Sequence, residues 1–215
     1  AYHKWLFSKM IELAQPKGLI LDNGCGNGVI AEFLSNHQIT GLDISPKMIK
    51  QAEKRLHRAV VGNSEKLPFE DNFFDTIFAR GLIHHLENPE KGIKEIARVA
   101  KENSRIVFLD PHKSIASTIP RKLMKKTDNF SSLHKNYTIK EFRKITEPHL
   151  DIIKIEYIGY LAYLLLGFPD ILNIYKYMPF KKIITPLLIK FDKLLSKIPL
   201  INRLGLGFIV LAQKK

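Results

Sequence analysis

Leu19-Ile20-Leu21-Asp22-Asn23-Gly24-Cys25-Gly26-Asn27-Gly28 is the stretch that decides how this chain folds. An apolar run enters an acid and then glycines at every second position, the pattern of a buried strand that ends in a tight turn and feeds a helix. Glycine is demanded in such a turn because a Cβ would block a ligand from the backbone, and because the turn takes φ angles that other residues resist. The spacing is G-x-G-x-G, with Val29 where the dinucleotide fingerprint G-x-G-x-x-G has its last glycine. Asp22 precedes the first glycine by two residues, where its charge would repel a pyrophosphate and suits a ligand bearing an ammonium group. An ordinary tight strand-to-helix turn is the alternative.

Working outward, residues 1–15 place Trp5, Leu6, Met10, Leu13 and Ala14 at helical spacing, and Val29 to Asn36 reads as the first crossover helix. Ile39 to Asp43 is a second strand ending in an acid. Ser45-Pro46 then caps a helix whose face carries Met48, Ile49, Ala52 and Leu56. A third strand spans about Ala59 to Gly62, a fourth Phe74 to Ala79, and a fifth Ile106 to Asp110, after a helix opened by Asn88-Pro89. Strand and helix alternate with short connections, which specifies a parallel doubly wound sheet with ligands at the strands' C-terminal edge. Asp43, 21 residues beyond Asp22, stands where a carboxylate accepts both hydroxyls of a ribose.

Asp22 with Gly24-Cys25-Gly26-Asn27-Gly28 resembles motif I of the class I S-adenosylmethionine (SAM) dependent methyltransferases. Gly41-Leu42-Asp43-Ile44-Ser45-Pro46-Lys47-Met48 is similar to the family's G-x-D-x-S-x-x-M segment. Asn63-Ser64-Glu65-Lys66-Leu67-Pro68-Phe69-Glu70-Asp71-Asn72-Phe73-Phe74-Asp75 follows its D-A-E-x-L-P-F-x-D-x-x-F-D, and Leu82-Ile83-His84-His85-Leu86 looks like its L-H-H-L stretch. From Leu19 to Pro111 every motif occurs in order, and the chain resembles the UbiE-like small-molecule branch, methyltransferase type 11. The resemblance implies SAM as cofactor and S-adenosylhomocysteine as product, with Asp22, Gly24, Cys25 and Gly26 around the amino acid end. It gives Asp43 the ribose, Ile44 a stacking position on adenine, and Met48 a contact near the ribose. Asn63 stands in place of the Asp that receives the adenine amino group, since an amide oxygen accepts the same bond. Ser64 adds backbone or hydroxyl contacts. Arg80 sits at the methionine end, its backbone receiving the ammonium and its side chain the carboxylate. His84 and His85 are the catalytic candidates, for acid/base work, with helix-start or packing roles as the alternative. Tyr2 and Trp5 are candidates to close over the cofactor, against plain aromatic packing.

At 215 residues and 45% apolar content the chain can bury a full core as one domain. The longest apolar run, Ile158 to Phe168, is 11 residues and too short for a membrane span. No signal-peptide pattern opens the chain, and without a Met at position 1 we expect residues before Ala1. Its single cysteine excludes an internal disulfide and a cysteine-based zinc cluster; no metal is expected, and the setting is read as cytoplasmic. The net charge of +13 is uneven: residues 1–110 hold 15 Lys/Arg against 14 Asp/Glu, and 111–215 hold 19 against 7. The basic half therefore faces an acidic partner, such as nucleic acid, an anionic lipid surface or a charged substrate, or else is a solvated lysine-rich surface.

Beyond the fifth strand, 112–137 reads as a long active-site loop with a short helix near Arg121 to Lys126. Thr138-Ile139-Lys140-Glu141 is a capping box. Leu150 to Gly159 and Leu206 to Gln213 are the sixth and seventh strands, the seventh antiparallel by resemblance. Residues 160–203 exceed what a hairpin needs and carry seven Lys/Arg against two Asp. A helix starting at Thr185-Pro186 puts Ile184, Leu187, Leu188, Phe191, Leu195 and Ile198 on one side and Lys190, Lys193 and Lys197 on the other. The expectation is one α/β domain over 1–215: a Rossmann-like, doubly wound, seven-stranded sheet, mostly parallel with one antiparallel strand, and a helical lid at 160–203. The amphipathic helix either packs on the domain or makes a peripheral membrane contact. The expected reaction is methyl transfer to a small, hydrophobic or lipid-like acceptor. An RNA methyltransferase using the basic half, and a catalytically silent SAM-binding partner subunit, are the alternatives.

Overall fold

The computed structural model describes residues 2–117, 135–166 and 179–215. Its centre is a seven-stranded sheet in the order β3-β2-β1-β4-β5-β7-β6. The strands are β1 (Leu19–Asn23), β2 (Gln38–Asp43), β3 (Arg58–Val61), β4 (Phe74–Arg80), β5 (Ala100–Pro111), β6 (Leu150–Ile158) and β7 (Gly207–Lys214). All neighbours pair in parallel except β7, which is antiparallel to both β5 and β6. β6 therefore runs the same way as β5, and its end at Ile158 lies at the edge where β1, β2 and β4 end.

Alternation along the strands feeds two cores, because successive side chains point to opposite faces. Ile106, Phe108, Phe208 and Val210 face one way, with Ile93 and Ile96 of α3 (Pro89–Val99) and Phe142 of α4 (Ile139–Thr146). Val107, Ile209 and Leu211 face the other way, with Leu6, Met10 and Leu13 of α1 (Tyr2–Ala14) and Ile49 and Ala52 of α2 (Pro46–Ala52). The caps read from sequence are made: Ser45 Oγ accepts the Met48 N–H at 3.4 Å, Asn88 Oδ1 that of Lys91 at 3.0 Å, and Thr138 and Glu141 cap each other reciprocally.

The first crossover differs from expectation. It is a five-residue 3-10 helix, Val29–Phe33, not an α-helix to Asn36, since β-branched Val29 and Ile30 open it and no side chain caps it. β5 begins at Ala100, earlier than the apolar run that marks it, because Lys101, Glu102 and Asn103 disguise its start. After β6 come α5 (Leu161–Leu166) and α6 (Lys181–Leu195), then a 3-10 turn, Ile201–Leu204, before β7. α6 starts four residues before Thr185 and keeps Pro186 inside, where the missing N–H forgoes the bond to Lys182 and the ring crowds its carbonyl. Its orientation is also not the expected one: Leu187 and Phe191 are exposed, Ile198 is 37% exposed, and the buried residues of the helix are Thr185 and Asp192. The expected helix near Arg121 to Lys126, most of the 112–137 loop and part of 160–203 lie outside the described residues.

Candidate active site

β1 hands its chain directly to the glycine turn, which is tied to the neighbouring strand: the Gly24 and Cys25 N–H groups both donate to Leu42 O, at 2.8 and 3.0 Å. Gly24, Gly26 and Gly28 have φ of 77°, 54° and 75°, in the left-handed region that favours glycine. Their surroundings differ. A Cβ on Gly28 would come within 3.2 Å of Ala52, so this residue lets the turn press on α2; a Cβ on Gly26 would meet nothing within 4 Å, so the backbone there faces open space. Gly26 is thus the floor of a cradle.

Two acids border that floor. Asp43, at the end of β2, accepts the Gly26 N–H on Oδ2 at 2.8 Å and the Ser45 N–H on Oδ1 at 2.9 Å, locking turn to helix. Each oxygen keeps a lone pair for a further donor, which is what a ribose diol supplies. Asp22 is buried, and burial pushes its carboxyl up to about 7; Arg80 draws it back down and Asp43 adds to the rise. An ammonium placed beside it would restore the carboxylate. Arg80, at the end of β4, lays its guanidinium 4.7 Å over the Phe7 ring of α1, on the Asp22 side of the turn.

Next to Asp43, Ile44 is 72% exposed and Met48 38% exposed, an apolar platform at the rim. Across from β2, the Asn63 side-chain oxygen already accepts the Glu65 N–H at 2.8 Å, leaving one acceptor position on that atom. Ser64 is buried, with its hydroxyl donating to Asn23 Oδ1 at 2.7 Å, so only its backbone faces the rim. Arg98 steadies this loop by donating to Phe69 O and Leu67 O at 2.8 and 3.0 Å while pairing with Glu95 and Asp71.

Cys25 is buried against Gly41, where a Cβ would come within 2.8 Å of its Sγ. Burial pushes its thiol up to about 12, reinforced by the charges of Asp22 and Asp43, so the sulfur stays protonated and packs. Its place in the cradle is a backbone one.

His84 and His85 occupy a 3-10 turn, Ile83–His85, just past β4, with rings 3.9 Å apart. His84 Nδ1 lies 2.6 Å from Asp110 Oδ1, and the same oxygen accepts the His84 N–H at 3.2 Å. Asp110 is fully buried, and its Oδ2 has no hydrogen-bond partner among the described residues. A carboxylate on Nδ1 fixes the imidazole as the Nδ1–H tautomer, with the lone pair on Nε2. The structure thus joins His84 to Asp110, a residue the sequence marked only as a strand end. Tyr2 is buried against Trp5 and Tyr163, ring centroids 5.1 and 5.6 Å away, so both α1 aromatics serve in packing.

The fold and this edge define a class: an α/β nucleotide-type binding sheet whose glycine turn is flanked by acids instead of phosphate-binding groups. Residues 21–108 match the family model Methyltransf_11, described as a methyltransferase domain. MJ0638 of Methanocaldococcus jannaschii is 30% identical over 84% of this chain and 72% of its own length. Demethylmenaquinone methyltransferase of Thermotoga maritima is 36% identical over 42% of each chain. The human protein named probable tRNA methyltransferase 9B is 34% identical over 46% of this chain and 23% of its own. Among solved structures, YcgJ of Bacillus subtilis shares the fold at a TM-score of 0.61 and 20% identity, covering 98% of this chain and 96% of that one. The chain spans about half the length of curated relatives it matches, 56% of MJ1123 from Methanocaldococcus jannaschii being one instance. Residues 21–108 thus belong with the Methyltransf_11 methyltransferase domains, and the similarity to methyltransferase-named relatives runs through that part of the chain.

Proposed function

We propose that this chain transfers a methyl group from SAM to a small, apolar, lipid-like acceptor. The observation that carries the cofactor half is the open cradle over Gly26, bordered by Asp22, Asp43 and the exposed Ile44. Those residues suit SAM: buried Asp22 and the Arg80 backbone for the ammonium, the Arg80 side chain for the carboxylate, Asp43 for the ribose, and Ile44 and Met48 for the adenine face. Asn63 keeps one acceptor position for the exocyclic amine, and the Ser64 backbone lies beside it. When bound, SAM supplies an electrophilic methyl on a positively charged sulfur.

The remaining work belongs to the protein: aligning an acceptor with that methyl, excluding water, and removing the proton that a hydroxyl or acidic carbon would otherwise carry. His84 is the group for the last task. Asp110 holds it by Nδ1 and stabilises the imidazolium formed when Nε2 takes the acceptor's proton. α5 leaves β6 at this same edge with Tyr163 against Tyr2, which supports a lid role for the insertion between β6 and β7. The insertion's apolar content favours an apolar acceptor.

Incubation with SAM labelled in the methyl group, followed by fractionation into lipid, RNA and protein pools, tests the proposal. Label is expected in the lipid-extractable or small-molecule fraction. Label confined to RNA would instead support the tRNA-type reading that the basic second half allows, and no transfer to any pool with intact cofactor binding would support a silent SAM-binding subunit.

A further inference from the structure

An α-helix on a protein surface ordinarily turns its apolar stripe to the core and its charges to water. α6 departs from that rule, since much of its apolar surface also faces water. Its buried residues are Thr185 and Asp192, and the Asp192 carboxylate receives the N–H groups of Tyr160 and Ala162, each at 2.9 Å, so a polar clamp fixes the helix to the start of α5. Leu188 and Ile189 lend it apolar packing on the α1 side of the core. Outward, Phe180, Ile183, Leu187, Phe191 and Leu194 follow one another three or four positions apart, between 46% and 77% exposed, and Leu200 extends the row at 75%. Single exposed apolar residues need no explanation, but a continuous aligned stripe marks a contact surface.

Charge decides what covers it. Between 179 and 204 the cations are Lys181, Lys182, Lys190, Lys193, Lys197 and Arg203, and the one acid, Asp192, is buried and turned inward. Lys190, Lys193 and Lys197 line the same shallow groove as Leu187, Phe191 and Leu194. A second copy pairing through this face would set lysines against lysines, because a two-fold contact brings identical patches together. We propose that the outer face of α6 docks on the surface of an anionic membrane, the apolar stripe entering the acyl boundary while the lysines reach the phosphate head groups. Among the described residues no helix is long and apolar enough to cross a membrane, so the helix lies on the bilayer. This surface lies on elements that leave β6 at the same sheet edge as the glycine turn, which would let an apolar acceptor pass from the bilayer to the site. The docking holds whichever acceptor is methylated.

Vesicle co-sedimentation tests it, with the whole chain and vesicles of phosphatidylcholine alone or with about a third phosphatidylglycerol. Binding is expected only to the anionic vesicles and should weaken with salt. Each lysine near the surface contributes about fivefold, so Lys190→Glu with Lys197→Glu should lower the partition coefficient by about twenty-five-fold or more. Leu187→Glu with Phe191→Glu should abolish binding, and because those side chains face water, S-adenosylhomocysteine affinity and melting temperature should match the unaltered protein. If the chain stays in the supernatant with anionic vesicles at low salt, or if the Leu187→Glu, Phe191→Glu variant sediments undiminished, the proposal fails. It fails equally if light scattering finds a dimer in the unaltered protein that this variant dissociates.

Discussion

Asp22 should make cofactor affinity strongly pH-dependent. Its carboxyl is raised by burial to about 7 in the free protein, with Arg80 opposing the rise and Asp43 adding to it. An ammonium held against it, with Arg80 alongside, should return its pKa to the ordinary carboxylate range near 4. Below pH 7 binding must then expel a proton, and apparent affinity falls by a factor of 1 + 10 raised to (7 − pH). Between pH 7.5 and 5.5 that amounts to about twenty-five-fold, or about 2 kcal/mol. The sign for stability runs the other way. A carboxyl whose folded pKa lies above its unfolded value stabilises fully below about pH 4, and the contribution is lost as pH rises through 7. The free protein should therefore soften towards neutral pH while the liganded protein does not. Calorimetric titration with S-adenosylhomocysteine from pH 5.5 to 7.5, in buffers of different ionisation heat, measures both affinity and proton release. His3 and His84 also lie at this end of the sheet, so Asp22→Asn is the control: it should bind weakly at every pH, with a flat profile. An unaltered protein whose affinity is constant across that range, or an Asp22→Asn variant that keeps the slope, would refute the assignment of Asp22 to the ammonium.

Asp43→Ala should cost a few kcal/mol of S-adenosylhomocysteine affinity, roughly a hundredfold or more, with circular dichroism unchanged; affinity within threefold of the unaltered protein would exclude the ribose contact. Asp110→Asn should lower methyl transfer to the identified acceptor about a hundredfold or more at neutral pH and leave S-adenosylhomocysteine affinity within twofold. A variant with normal rate, or one that loses cofactor binding, would remove the base role from His84.

The glycine turn and the acids beside it were legible because their constraints are local. Gly24, Gly26 and Gly28 reveal themselves through the backbone angles a turn requires, and Asp22 and Asp43 through their positions at the ends of apolar runs that can only be strands. The sheet followed from strand and helix alternating at short spacing, and the antiparallel β7 from resemblance. His84 and Asp110 illustrate the limit: 26 residues separate them, and only the parallel register of β4 and β5 brings their strand ends side by side. Acids near the ends of β1, β2 and β5 are a signal that could have been used, since all such ends share one edge. Ser64 shows a finer limit, for nothing in the residue type says that its hydroxyl turns inward to Asn23.

The unexpected orientation of α6 has a physical cause that bears on function. Periodicity reports that a helix has two faces, and the usual inference that the apolar one is buried assumes water on the other side. Here the inward face is held by a directional contact, Asp192 on the N–H groups of Tyr160 and Ala162, which carries no hydrophobic signature in the sequence. Burial pushes the Asp192 carboxyl up while those N–H groups pull it down, so the clamp persists only because the peptide donors replace the lost hydration. A polar clamp is an expensive way to attach a helix that already owns an apolar stripe, unless the stripe is needed elsewhere. The arrangement follows naturally if the outward surface is reserved for a lipid phase. In that setting the exposed Leu187 and Phe191 are the buried face of the helix, and the ordinary rule of amphipathicity is obeyed with the bilayer standing in for the core.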